Sequence, residues 1–327
     1  MSNNNFTSFW QSLLWEEILL ETHQAKTFWH TNEGQSWLLE RRTLLWNMTG
    51  LYALGVDESG ITPEYLMSLQ EIIKRTDIFL QIEPLWPSKT PEIQDKKAPF
   101  RRFIEPVTAV VSLTNQNEET LLQNFAEKGR YNIRVAERRG LTTHWVRGDD
   151  VSSFNLPWTP NVRKKTNIEL FFDLLKETTE RDGFSHNSLS YYQAFVRTLE
   201  QNNSGGLLLS LKDGTIHAAG IFVYYGQQAI YYYGASSNNP EVRRDNGTYL
   251  LQWEAMCEAL RRGCVEYDFL GISSEEWDKL AGVTTFKMRF APHKVQLPPE
   301  KVIVLRPVLL MLLKILSKIR KIIRQLR

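Results

Sequence analysis

Residues 266–290, EYDFLGISSEEWDKLAGVTTFKMRF, constrain the fold of this chain more than any other stretch. Tyr267-Asp268-Phe269-Leu270 alternates as a strand does, and Gly271 permits a turn or a close backbone approach that a Cβ would obstruct. Asp268 is therefore expected at a strand end. An acidic segment follows (Glu275, Glu276, Asp278), and after Gly282 the run Val283 to Phe290 has the β-branched and aromatic content of a second strand. That strand would turn Phe286, Met288 and Phe290 to one side and Lys287 and Arg289 to the other. By spacing alone, Lys287 on such a face is a solvated lysine.

The chain before it alternates helix and strand patterns, which predicts an α/β protein. Residues 6–22 place Phe6, Phe9, Trp10, Leu13, Leu14 and Ile18 at helical spacing. Trp37 to Glu40, Leu44 to Met48 and Leu51 to Val56 are expected as three strands, the first two separated by Arg41-Arg42. Thr62-Pro63-Glu64 opens a helix by cap and proline. Residues 77–84 form a buried strand ending in Glu83-Pro84, and strand ends are where α/β folds put chemistry. By position alone Glu83 is a solvent-facing carboxylate before a turn or a group at a functional strand end. A proline- and charge-rich surface loop over 85–106 leads to a strand at 108–113. The basic helix at 128–141 closes on Gly140. Arg134 is one of five cations between Lys128 and Arg139, a solvated face unless a polyanion meets it. The helix at 166–182 carries Arg181 in its last turn, where a cation offsets the macrodipole. Strands at 207–211, 217–225 and 229–233 follow a helix running to Gln201, and Tyr231 and Tyr233 would alternate toward core or cleft. Cys257 and Cys264 have no neighbouring His, and His23 and His30 have no third ligand, so no metal site is expected.

With 42% hydrophobic residues, 327 residues suit one large or two medium domains. The net charge of +2 hides an asymmetry, because residues 301–327 carry eight Lys or Arg and no acid. Within 307–327, Val308, Leu312, Ile315, Ile319 and Ile322 recur at three and four with Lys314, Lys318 and Lys321 opposite. Such a basic amphipathic helix packs on its own domain, binds a partner, or lies in the headgroup layer of an anionic membrane. The amino terminus has neither a basic n-region nor an unbroken apolar core, and no run of about 18 apolar residues occurs, so a reducing, cytoplasmic setting is expected.

YDFxGI followed by G-V-x-x-F-K-x-x-F resembles the C-terminal signature of the Fem-type (FemABX) peptidoglycan-bridge aminoacyltransferases. Residues 128–141 resemble that family's K-x-R-x-x-I-R-x-A-x-x-x-G-[VL], residues 177–184 its E-T-x-x-R-x-x-F, and Gln11-Ser12-Leu13-Leu14-Trp15 its opening Q-S-x-x-W. The resemblance implies two GNAT-like (acyl-CoA N-acyltransferase-like) units in tandem, assigned here to 1–150 and 151–298, with a C-terminal amphipathic basic helix at 299–327. The implied reaction moves an amino acid from aminoacyl-tRNA to the stem-peptide amine of a peptidoglycan precursor, a nucleotide- or lipid-linked muropeptide. No metal or redox cofactor is implied, and the setting is the cytoplasm, with contact at an anionic membrane surface through 307–327. Under the same resemblance Lys287 stabilises the oxyanion, Glu83 occupies the acid-proline position facing the site and would orient the acceptor amine or take its proton, and Arg181 lies near the precursor's pyrophosphate. Phe286, Asp268, Tyr231, Tyr233 and Arg134 take substrate-binding places.

One family feature is missing: the amino-terminal lysine that helps hold the precursor's phosphates is replaced by Glu16 and Glu17, with Lys26 only a loose substitute. Two other readings stand beside the first. An acyl-CoA-dependent N-acyltransferase acting on a polysaccharide or lipid-linked sugar is disfavoured by Tyr249, bulky where the coenzyme A loop needs a small residue. A non-catalytic membrane-peripheral relative is disfavoured by the retained Lys287.

Overall fold

The computed structural model describes residues 8–86, 102–158, 164–273 and 281–325. Most of the proline-rich loop and the acidic segment Glu275, Glu276 and Asp278 lie outside the described residues. A turn of 3-10 helix (Phe9–Gln11) and α1 (Leu13–Glu21) precede β1 (Lys26–Asn32), β2 (Gln35–Leu45) and β3 (Met48–Asp57), which pair antiparallel in succession. The chain crosses over through α2 (Pro63–Ser68), and β4 (Asp77–Trp86) runs parallel to β3. Next come β5 (Val107–Ser112), α3 (Glu118–Asn124), α4 (Glu127–Arg138), β6 (Thr142–Val146), α5 (Asn167–Asp182) and α6 (Leu189–Gln201). The strands β7 (Gly205–Lys212), β8 (Thr215–Tyr225) and β9 (Gln228–Ser236) are again antiparallel. After α7 (Pro240–Arg243) and α8 (Gly247–Arg261), β10 (Glu266–Gly271) lies parallel to β9. The chain ends with α9 (Ala281–Lys287), β11 (His293–Gln296), β12 (Lys301–Val304) and α10 (Pro307–Gln325).

Both sheets therefore contain one plan, three antiparallel strands, a helical crossover and a next strand parallel to the third, to which the larger sheet adds β6 antiparallel to β7. In both, the open side of that parallel strand is covered by an antiparallel strand from elsewhere in the chain, β12 on β4 and β5 on β10. The orders are β1-β2-β3-β4-β12 and β11-β5-β10-β9-β8-β7-β6. These pairings draw one compact unit from Thr7–Pro106 with Gln296–Arg327 and the other from Val107–Val295. The sequence expectation placed the boundary at 150 and set 299–327 apart. Long-range pairing of β5 and β12, which local pattern does not encode, puts it at 107 and joins β12 and α10 to the first sheet.

Each unit has its own apolar core, one around Trp37, Leu39, Tyr65 and Ile82 and one around Phe125, Phe222, Tyr267 and Phe290. The Q-S-x-x-W segment is spent on folding. Gln11 Nε2 donates to the carbonyls of Leu38 and Leu54, Ser12 caps α1 by accepting from Trp15 N, and Trp15 Nε1 donates to buried Glu40. Arg41-Arg42 does not break the strand as expected, and β2 runs through it. Arg41 forks onto fully buried Asp77 at 3.0 and 3.1 Å and Arg42 pairs with Glu40, so both charges have partners in place. His23 follows α1 while His30 is in β1 and hydrogen-bonded with Ser68, so they share no helix face.

A second correction concerns 283–290, expected as a strand. These residues form the end of α9 and a 3-10 turn, Met288–Phe290. The threonines that suggested a strand have their hydroxyls engaged: Thr285 Oγ1 donates to the Ala281 carbonyl and Thr284 Oγ1 accepts from Ser273 N. Helical spacing brings Phe286 and Phe290 together at 5.5 Å, both against Tyr249, and buries Phe290 on Phe125 and Phe269.

Candidate active site

In the unit drawn from Val107–Val295, the pairing of β9 with β10 runs only from Gln228/Glu266 to Ile230/Asp268. Beyond that point lies a cleft of about 610 Å³, lined by Arg181, Tyr231, Tyr233, Phe286 and Lys287 among others. The structure thus gathers five of the residues singled out from sequence.

Lys287 is the last residue of α9 and only 6% exposed. Its ammonium donates to the carbonyls of Phe269 at 2.6 Å and Gly271 at 2.7 Å. These acceptors fix the charge at the strand end, a preorganisation that bulk water cannot offer. The carbonyls are presented by an irregular stretch of β10: its register against β5 shifts between Asp268 and Gly271, and Leu270 is left-handed at φ 57°. A branched residue in that region is strained and persists only where its surroundings impose it. The brace is Asp268, whose carboxylate accepts from Leu270 N at 2.7 Å and from the Thr108 hydroxyl of β5. Burial pushes the Asp268 pKa up to about 6, against the opposing pull of those two hydrogen bonds and of the nearby Lys287 charge. Asp268 itself is not among the cleft-lining residues.

The tyrosines depart from simple alternation. In the pairing of β8 with β9, Ile221 faces Tyr233 while Phe222 faces Tyr231, so Tyr232 is an extra residue in a bulge and all three rings line the cleft. Tyr231 stacks on Phe222 at 5.4 Å and its ring crosses Gly234, where a Cβ would sit 1.6 Å from the phenol oxygen. Tyr233 Oη is 2.9 Å from Tyr191 Oη. Burial raises the pKa of Tyr231 to about 12 and that of Tyr233 well above 10, so both enter neutral chemistry as phenols.

The E-T-x-x-R segment of α5 clamps the chain leaving β9. Thr178 Oγ1 donates to the Ser236 carbonyl and accepts from Ser236 N, and Glu177 accepts from Asn238 N. Arg181 donates to Asn238 Oδ1 at 2.6 Å and forks onto Asp182 at 2.8 and 3.0 Å. Its charge is therefore partly balanced already. His217, which sequence reasoning passed over, also lines the cleft; burial lowers its pKa, and Nδ1 makes no hydrogen bond. Its place in a strand-dense block gave no signal that it would end near the start of α8.

Two more of the predicted site residues do not line this cleft. Arg134 is exposed on α4 and does not line the cleft. Glu83, in the other unit, is fully buried; its carboxylate accepts from Phe103 N, from Ile104 N at 2.7 Å and from Gln81 Nε2 at 2.7 Å. It ties β4 to the backbone at Phe103 and Ile104.

Repeated sheets of this plan, with a cleft where the parallel pair parts, define a protein of tandem GNAT-like units. The FemAB family model matches residues 100–205 and 209–318, more than half of the sequence, and the chain belongs to that family. A Staphylococcus aureus lipid II:glycine glycyltransferase is 25% identical over 114 residues, 35% of this chain and 23% of that protein. The chain thus matches under a quarter of that relative's length. The crystal structure of FemX superposes with a TM-score of 0.76 at 17% identity, covering 95% of this chain and 96% of FemX. A C-terminal domain from Agrobacterium fabrum gives 0.52 at 12% identity over 94% and 96%. At these identities both structures speak to the fold alone.

Proposed function

We propose that this chain is an aminoacyltransferase that moves an amino acid from aminoacyl-tRNA to the stem-peptide amine of a peptidoglycan precursor. The observation that carries the reading is the buried Lys287 ammonium, held by two β10 carbonyls at the floor of an aromatic cleft in a FemAB chain. The name of the glycyltransferase relative supports the same acceptor chemistry and leaves the transferred amino acid open.

In this reaction the amine nitrogen attacks the ester carbonyl and a C–N bond forms. The oxyanion develops against the Lys287 charge, and collapse breaks the ester C–O bond, releasing the tRNA hydroxyl. The amine's proton ends on that leaving oxygen. The four hydrogen bonds on Glu83 engage both of its oxygens, so we assign it to holding its loop and leave proton transfer to the substrates. Tyr231, Tyr233 and Phe286 wall the aminoacyl group, Asp268 positions the Lys287 acceptors, and Arg181 meets precursor phosphate in competition with Asp182. Arg134, on the exposed face of α4, is left to long-range attraction of the polyanionic tRNA.

Tyr249 occupies the first turn of α8, packed on Phe286 and Phe290, and supports a donor other than coenzyme A. The test offers labelled amino acid on charged tRNA, or acyl-coenzyme A, to the enzyme with a soluble muropeptide acceptor. Label transferred from tRNA is the expected result. Turnover from acyl-coenzyme A with none from any charged tRNA would sink this reading.

A further inference from the structure

Over its described side chains, Pro307 to Leu316, α10 carries apolar residues on two opposite sides, and burial separates them. Leu310 and Leu313 of α10 are 7% and 5% exposed, turned to their own unit. On the opposite side Val308, Met311, Leu312 and Ile315 are 81%, 66%, 41% and 45% exposed. At 100° per residue these four fall on one strip of the cylinder. Val304, just before the helix, adds a fifth exposed apolar residue at 44%. Such a strip is not what a helix packed on its own domain needs.

Charge decides what covers it. Residues 301–327 carry eight cations and no acid in a chain whose net charge is only +2, so the remainder is acidic overall. A second copy bringing the same helix would set cation against cation. A partner helix with an acidic rim remains chemically acceptable, but a surface offering hydrocarbon beneath a layer of negative charge satisfies strip and flanks together. No helix among the described residues is long and apolar enough to cross a membrane, which leaves α10 lying in the plane.

We infer that the outward face of α10, centred on Val308, Met311, Leu312 and Ile315, docks the protein on an anionic phospholipid surface. Resting on the transferase reading above, this makes the lipid-linked muropeptide the working acceptor, delivered at the surface where the enzyme sits.

The experiment floats the full-length protein with vesicles of phosphatidylcholine alone or mixed with phosphatidylglycerol, at low and high salt. Wild type is expected to float with the mixed vesicles, to be released by salt, and to stay behind with neutral ones. Met311→Glu/Ile315→Glu should lower mixed-vesicle binding by about tenfold or more, since each change strips an apolar anchor and adds an anion facing lipid headgroups. The variant should keep its unfolding midpoint, because both positions are exposed. It should also keep transfer to a soluble muropeptide while losing transfer to one embedded in vesicles. Equal flotation of wild type and variant, equal binding to neutral and anionic vesicles, or a wild-type dimer that the variant dissolves would each overturn the proposal. Absence of transfer to the soluble acceptor would instead strike the transferase reading and leave flotation as a separate result.

Discussion

Asp268→Asn isolates the charge of the residue that braces β10. Asparagine keeps the Oδ1 that accepts from Leu270 N and Thr108 Oγ1 and replaces the other carboxylate oxygen with an amide NH2, removing the charge. A pKa raised from 3.8 to about 6 means the folded protein holds the Asp268 proton more tightly than the unfolded chain does. The folded state is then favoured below pH 4, and that advantage is lost as pH rises through 6. At about 1.4 kcal/mol per tenfold change in proton affinity, ionised Asp268 costs up to about 3 kcal/mol at pH 7. Part of that cost returns because the new amide must find a partner, so the variant should be more stable than wild type at pH 7 by about 1–3 kcal/mol. The difference should shrink steadily toward pH 4. Urea unfolding of both proteins across pH 4–8 reads it directly, with equal slopes confirming that compactness is unchanged. Activity should move the other way, because the carboxylate near the Lys287 ammonium is gone: an acid limb near pH 6 in the wild-type rate should vanish in the variant. A variant less stable than wild type at pH 7, or a stability difference independent of pH, would refute the reasoning.

Other outcomes follow from the same contacts. Glu83→Ala strands three donor groups, two of them buried, and should cost about 2–4 kcal/mol in urea unfolding, with Glu83→Gln recovering part of the loss, whereas a catalytic base would lose rate in both. Gly234→Ala drives a methyl into Tyr231 and should destabilise by about 1–3 kcal/mol while raising KM for the donor, read by unfolding and steady-state kinetics. Asp182→Asn frees the Arg181 fork and should tighten binding of a diphosphate-bearing precursor several-fold by calorimetry; unchanged affinity would remove Arg181 from the binding site.

The elements with local signatures were legible in the sequence. Thr166 and Gly183 bracket α5 as cap and left-handed terminator, and α10 follows its apolar repeat. Lys287, Phe286, Arg181, Tyr231 and Tyr233, each singled out from the sequence, line one cleft. What escaped was set by contacts distant in sequence. The partners of β5 and β12 redraw the units, and the Asp77 carboxylate that carries β2 through Arg41 lies 36 residues on. The bulge that brings Tyr232 to the cleft has no glycine to announce it. Val283-Thr284-Thr285 has strand propensity, yet aromatic packing of Phe286 and Phe290 on Tyr249 outweighs it.

The most direct test of Lys287 is the single-turnover rate of aminoacyl transfer in wild type and Lys287→Met, with charged tRNA and soluble muropeptide both saturating. The substitution also orphans the Phe269 and Gly271 carbonyls, at about 2–5 kcal/mol of stability, so folded protein must be verified by near-ultraviolet circular dichroism at the assay temperature. The account predicts a rate lower by about 10²–10³ in fully folded variant, the cost of removing one preorganised charge from the transition state. A folded variant that transfers at the wild-type rate would contradict it.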